Sequence, residues 1–279
     1  MHKFWTFISI VVALTGCNDA TISKDGIVVL GHAGSGFPSV NNHYPTNSKL
    51  SITQALLSQG ADGVEVDIQI TADSQIVLYH DRKLESGTND TGYISQKTWA
   101  ELQTVSRRDG QTTIYNDVGL WRLCDLFKYI DSLQLDVFLF LNIQNQYEVS
   151  DQKSYNRLLE NALSKALGKY SNLSKTIVET RDHDCIVKLK FLEKVMGFKL
   201  FFTAPITDEN IDKTGLYVSG FVVNYLDETS ATIQKAKDAG FEIALYGVKI
   251  RQDISPAIKF EPDYIQTDNI PLTLSYLGR

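Results

Sequence analysis

Cysteine is scarce in this chain: three residues in 279, at Cys17, Cys124 and Cys185. None has the spacing of a metal motif, so a structural zinc or iron–sulfur site built on thiolates is excluded. Cys124 and Cys185 each fall in an apolar-periodic segment that reads as helix, where a free buried thiol is expected rather than a disulfide. An excess of basic charge is missing too. Lys and Arg number 27 against 33 Asp and Glu, a net charge of −6 with both signs interspersed. That excludes the electrostatic footprint of a nucleic-acid-binding protein and any general attraction to anionic membranes. No linker, internal repeat or low-complexity block follows residue 26, so nothing divides the chain into two domains.

A bilayer-spanning run is also absent at the N-terminus, where the apolar segment 4–14 is too short to cross on its own. With Lys3 before it, this segment has the make-up of a secretory signal. Leu14-Thr15-Gly16-Cys17 then resembles a bacterial lipobox, in which Cys17 is lipidated and becomes the mature N-terminus. Residues 1–17 are therefore expected to be a lipoprotein signal, and 18–26 a short polar tether. The implied location is the exported cell envelope, with membrane attachment through the lipid.

What is present centres on residues 60–84, GADGVEVDIQITADSQIVLYHDRKL. Val64, Val66, Ile68 and Ile70 alternate with Glu65, Asp67 and Gln69, the period of a strand with one apolar face. Glu65 and Asp67 then stand side by side. Neighbouring carboxylates repel unless a proton or cation lies between them, and a hard divalent ion such as Ca²⁺ or Mg²⁺ takes oxygen ligands of this kind. A turn at 72–75 leads into a second extended run, 76–79, which delivers His80 and Asp81. Upstream, the apolar strand 27–31 ends in His32-Ala33-Gly34.

The rest of the chain alternates strand-like and helix-like segments. Helices are expected at 48–59, 120–133, 153–167, 182–196, 208–213, 228–239 and 253–259, with a short one from Pro271. Thr98-Trp99-Ala100-Glu101 reads as a capping box, and Gly197 and Gly240 read as helix-ending glycines. Further strands are expected at 136–143, 176–180, 199–203, 220–223, 242–247 and 264–266. Eight strands, each followed by a helical stretch, predict a single-domain (β/α)₈ TIM barrel over 27–279. Active sites of such barrels lie at the C-terminal ends of the strands, where His32, Glu65, Asp67 and His80 all fall.

A strand-end His-x-Gly, a G-A-D-x-x-E-x-D strand and a His-Asp pair, in this order, resemble the glycerophosphodiester phosphodiesterase family. The resemblance continues through Thr71, Leu84, residues 88–92 and the TWAEL segment 98–102, and returns at Ile265, Gln266, Thr267, Asp268 and Pro271. It implies a metal-assisted phosphodiesterase acting on small glycerophosphodiesters or related head-group diesters. His32 and His80 would share general acid and base work, and Glu65 and Asp67 would hold the ion. His43 and His183 have no motif around them and read as surface residues.

Three departures stand out. Ala33 occupies the position of the family's Arg after the first His, and Ser86 stands where an Arg is frequent. The strand-three Glu-x-Lys appears as Leu141-Asn142-Ile143-Gln144-Asn145-Gln146, in which the Glu position is Asn142 or Gln144 and the Lys position Gln144 or Gln146, an amide either way. An amide oxygen ligates a hard cation without adding charge. Arg181 and Lys249, just past strands four and seven, are candidate replacement cations or simply surface charges. Trp121 is a candidate for an apolar part of the substrate site or an ordinary rim residue. Two other readings share these residues: a non-catalytic envelope-anchored binding protein, and a phospholipase C-like enzyme that forms a cyclic phosphate.

Overall fold

The computed structural model describes residues 26–37, 42–109, 113–144 and 149–279. The expected signal, the lipobox Cys17 and all but the end of the tether lie outside these residues. Eight parallel strands close into a barrel: β1 (Val28–Gly31), β2 (Gly63–Ile70), β7 (Phe138–Ile143), β8 (Thr176–Thr180), β9 (Lys199–Thr203), β10 (Gly220–Asn224), β11 (Glu242–Val248) and β12 (Tyr264–Thr267). The ring closes where β1 lies between β12 and β2. Between β2 and β7 the chain leaves the ring. β3 (Ile76–Leu78) pairs antiparallel with β2, β6 (Trp121–Arg122) pairs with β3, and β4 (Ser106–Asp109) and β5 (Thr113–Gly119) form a hairpin of their own.

Local signals account for the helices. α1 (Lys49–Thr53) starts at Ser48, whose hydroxyl accepts the Ser51 N–H, and runs into a π-helical turn, Gln54–Ser58. Thr98 and Glu101 form the expected capping box of α2 (Trp99–Leu102). α3 (Leu123–Ser132) is shorter than the sequence suggests, because Trp121 and Arg122 are drawn into the sheet beside β3. α4 (Gln152–Leu167), α5 (His183–Met196), α6 (Asp208–Thr214), α7 (Ser230–Asp238), α8 (Arg251–Lys259) and α9 (Ile270–Tyr276) complete the outer layer. Gly197 ends α5 at φ 85°, a left-handed conformation that glycine adopts without a Cβ penalty. Cys124 and Cys185 are both free thiols; Cys185 is buried and Cys124 half-buried. Burial pushes the Cys185 thiol up to about 12.

The core has three parts. The largest lies between strands and helices and takes Val64, Val66 and Ile68 from the outward face of β2. A second lies under the excursion, around Val77, Tyr79, Leu84, Ile94 and Leu102. The third fills the barrel, with Leu30, Phe140, Ile177, Phe201, Val222, Ala244 and Tyr264. Phe140, Phe201 and Tyr264 meet edge to face with centroids 4.9 to 5.8 Å apart, plugging the ring below the C-terminal ends of its strands. Aromatic pairs at such spacings add to their area burial.

Candidate active site

Side chains on a strand repeat every two residues, so the residue two beyond each barrel-filling position faces the same interior one layer higher. Those residues are His32, Asn142, Glu179, Thr203, Asn224, Tyr246 and Gln266. Together with Asp67 they all line one cavity of about 540 Å³ at the C-terminal end of the ring. Phe37, His80, Gln144, Arg181 and Lys249 also line it. A recess of about 230 Å³ opens beside it, sharing Arg181, Thr203, Asn224 and Tyr246 and adding Pro205, Asp227 and Glu228.

The two histidines are held alike. Asp268, just past β12, meets His32 Nδ1 at 2.8 Å, and Asp81 meets His80 Nδ1 at 2.9 Å. Phe37 lies between the rings, 5.0 Å from His32 and 5.6 Å from His80 by centroid. With Nδ1 donating to a carboxylate, Nε2 of each ring remains for other work. The Asp81 hydrogen bond raises the His80 pKa above its ordinary value, against burial, with Asp67 and the Asp81 charge adding to the rise.

The polar face of β2 points into the barrel, not to solvent. Glu65 is fully buried. Its Oε2 accepts the Ala33 N–H at 2.8 Å, whereas its Oε1 has no hydrogen-bond partner. Burial pushes the Glu65 carboxyl well above its usual range, and the charges of Asp67 and Glu179 push it further. Asp67 accepts Asn47 Nδ2 at 2.7 Å on Oδ2; its Oδ1 faces the Gln144 amide at 2.5 Å and the Asn142 amide at 3.3 Å. Both strand-three amides thus approach Asp67, while Gln146 lies outside the described residues.

This donor set fits a hard cation. Two carboxylates and two amides are all oxygen donors, the Asn and Gln nitrogens and oxygens being exchangeable by a flip. The buried, unpartnered Glu65 oxygen is a group such an ion would satisfy. Among the described residues no three His, Cys, Asp or Glu side chains already converge as a finished ligand shell.

The sequence candidates divide. His32, His80, Asp67, Asn142, Gln144, Arg181 and Lys249 share the cavity wall, with Glu65 one interior position below Asp67. Trp121 does not reach the cavity: it packs on Tyr129 at 5.6 Å, held outside the ring by the pairing of β6 with β3. Ala33 is buried with φ 50°, and no side chain from there lines the cavity. Sequence reasoning passed over Glu179 and Phe37, and named Asp268 and Gln266 only as parts of a terminal motif. For Glu179 and Gln266 the signal was a polar residue two positions past an interior apolar one.

The glycerophosphoryl diester phosphodiesterase family model matches residues 40–272. The chain belongs to that family. Its members are phosphodiesterases, which are phosphoric diester hydrolases. A glycerophosphodiester phosphodiesterase of Caldanaerobacter subterraneus is 23% identical over 255 residues, covering 90% of this chain and 98% of the relative. The barrel matches a glycerophosphodiester phosphodiesterase from Parabacteroides distasonis with a TM-score of 0.74 at 19% identity, over 91% of this chain and 98% of the other. It also matches a phosphodiesterase of Oleispira antarctica, solved in complex with the product sn-glycerol-3-phosphate, with a TM-score of 0.74 at 16% identity over 90% and 97%. At these identities the structural likeness bears on the fold.

Proposed function

We propose that this family member hydrolyses glycerophosphodiesters or related head-group diesters with His32 and His80 as a proton-transfer pair and a divalent ion, Ca²⁺ or Mg²⁺, at Glu65 and Asp67. The observation that carries the reading is the pair of imidazoles on one cavity wall, each fixed at Nδ1 by its own carboxylate. Asn142 and Gln144 complete the oxygen donors. When bound there, the ion would act as a Lewis acid on the phosphate oxygens.

The chain's own groups do the rest. His80, kept protonated above its ordinary range chiefly by Asp81, donates its Nε2 proton to the leaving alkoxide oxygen as the P–O bond breaks. His32 Nε2 takes a proton from the attacking water as the new P–O bond forms, and Asp268 steadies the resulting imidazolium. Arg181 and Lys249, on the cavity wall, offset phosphate charge. The side recess gives room for the alcohol portion of the diester. The test is a coupled release assay on a panel of glycerophosphodiesters with Ca²⁺, Mg²⁺ or chelator. Release that needs an ion and disappears with chelator supports the reading; no release on any diester would favour a binding protein on the same barrel.

The location belongs to the same proposal: export to the envelope and anchoring through lipid on Cys17. Metabolic labelling with a fatty acid should mark the wild-type chain and not Cys17→Ser. Equal labelling of both would remove the anchor from the reading.

A further inference from the structure

Strand β7 brings only amides to the cation site, and beside them stands an acid that the mechanism above leaves idle. We propose that Glu179 on β8 supplies the third negative charge of the Glu65–Asp67 cation site. This rests on the reading that a divalent ion works there.

Asp67, Asn142 and Glu179 form one lateral row. Asp67 pairs with Asn142 across β2 and β7, and Asn142 pairs with Glu179 across β7 and β8. Paired residues present their side chains on the same face, and neighbouring strands are about 4.8 Å apart. The two carboxylates therefore flank the Asn142 amide inside the ring, within reach of one ion's field. Glu179 is only 1% exposed. Its hydrogen bonds come from Gln266 Nε2, at 3.3 and 3.5 Å. One long amide contact, with the charge of Arg181 nearby, leaves most of the roughly four acceptor sites of a buried carboxylate unfilled. Two further buried atoms of this interior have no partner, Glu65 Oε1 and Thr203 Oγ1. Polar groups buried without partners are rare in stable folds, and here they border the same few strands. Because no three acidic side chains already converge on one point among the described residues, the role assigned to Glu179 is charge, not a fixed metal bond.

The alternative is a core acid whose business is Gln266 and the charge of Arg181. The two differ in ion affinity. Calorimetric titration of the full chain with Ca²⁺ and with Mg²⁺ should show roughly tenfold or greater weakening in Glu179→Gln, since affinity follows the charge count of the site. Adding Gln144→Glu to that variant returns the charge from strand β7 and should restore most of the affinity. Equal binding by wild type and Glu179→Gln overturns the role of Glu179 and leaves the cation reading intact. Binding of neither ion by wild type overturns both. Circular dichroism reports folding: if Glu179→Gln alone does not fold, the double variant decides, and failure of both to fold assigns Glu179 to the core.

Discussion

At the scale of single residues, the cavity is defined by how each polar atom is held. His32 and His80 differ in exposure, with 19% and 44% of their side chains accessible, yet each leans on a carboxylate. Alanine at either position should cost about 100-fold or more in kcat, and the double variant should lose much less than the product, because groups acting as a unit are not additive. Hydrolysis undiminished in both single variants would remove the acid/base assignment. Asp81→Asn takes away the largest cause of the raised His80 pKa. The alkaline limb of the kcat/KM profile should then move to lower pH, since the proton donor is lost sooner as pH rises; an unmoved limb would assign the donor elsewhere. Much of this was legible in sequence. Glu65, Asp67, His32 and His80 announce themselves through alternation and motif position. Asp268 was visible as part of a terminal motif, but its bond to His32 spans 236 positions and no local pattern encodes it. Of the two readings open for Trp121, the ordinary rim residue holds, because its pairing with β3 keeps it outside the ring.

At the scale of elements, strand periodicity and glycine stops carried nearly all the ring, and β8 and β9 fall where expected. The β4–β5 hairpin was missed. Its polar run around Arg107 and Arg108 lacks an apolar stripe. The loop after β1 comes close to the loop after β12. Gly36 has φ 97°, and a Cβ there would lie 2.6 Å from the Cα and carbonyl oxygen of Asp268. Gly36→Ala must displace backbone that carries the partner of His32. It should destabilise the fold by roughly 1–3 kcal/mol and lower kcat along with it. Urea denaturation and steady-state kinetics on the same preparation check both effects, and an alanine variant as stable and active as wild type would contradict the close approach.

At the scale of the whole molecule, the buried acids tie stability to pH and to ions. Burial raises Glu65 and Glu179, the latter to about 8. The folded state therefore binds more protons than the unfolded chain above about pH 4.5, the ordinary value of a Glu carboxyl. Without divalent ions, the stability these two groups contribute should be fully present below that value and fall as pH rises toward 8; His80, also raised, acts in the same direction. Ca²⁺ or Mg²⁺ binding the folded state should raise Tm by mass action, and most strongly near pH 8. Glu65→Gln should melt no lower than wild type in chelator at that pH, yet show no gain with ion. Identical ion responses in the two proteins would move the ion away from Glu65. The seam of the barrel has a further consequence, in time. β1 meets both β12 and β2, and the His32–Asp268 contact forms only once that ring is shut. Contacts so distant along the chain form late, because loop closure must come first. A refolding chain should regain helical signal well before it regains turnover, so a half-built barrel is a silent one.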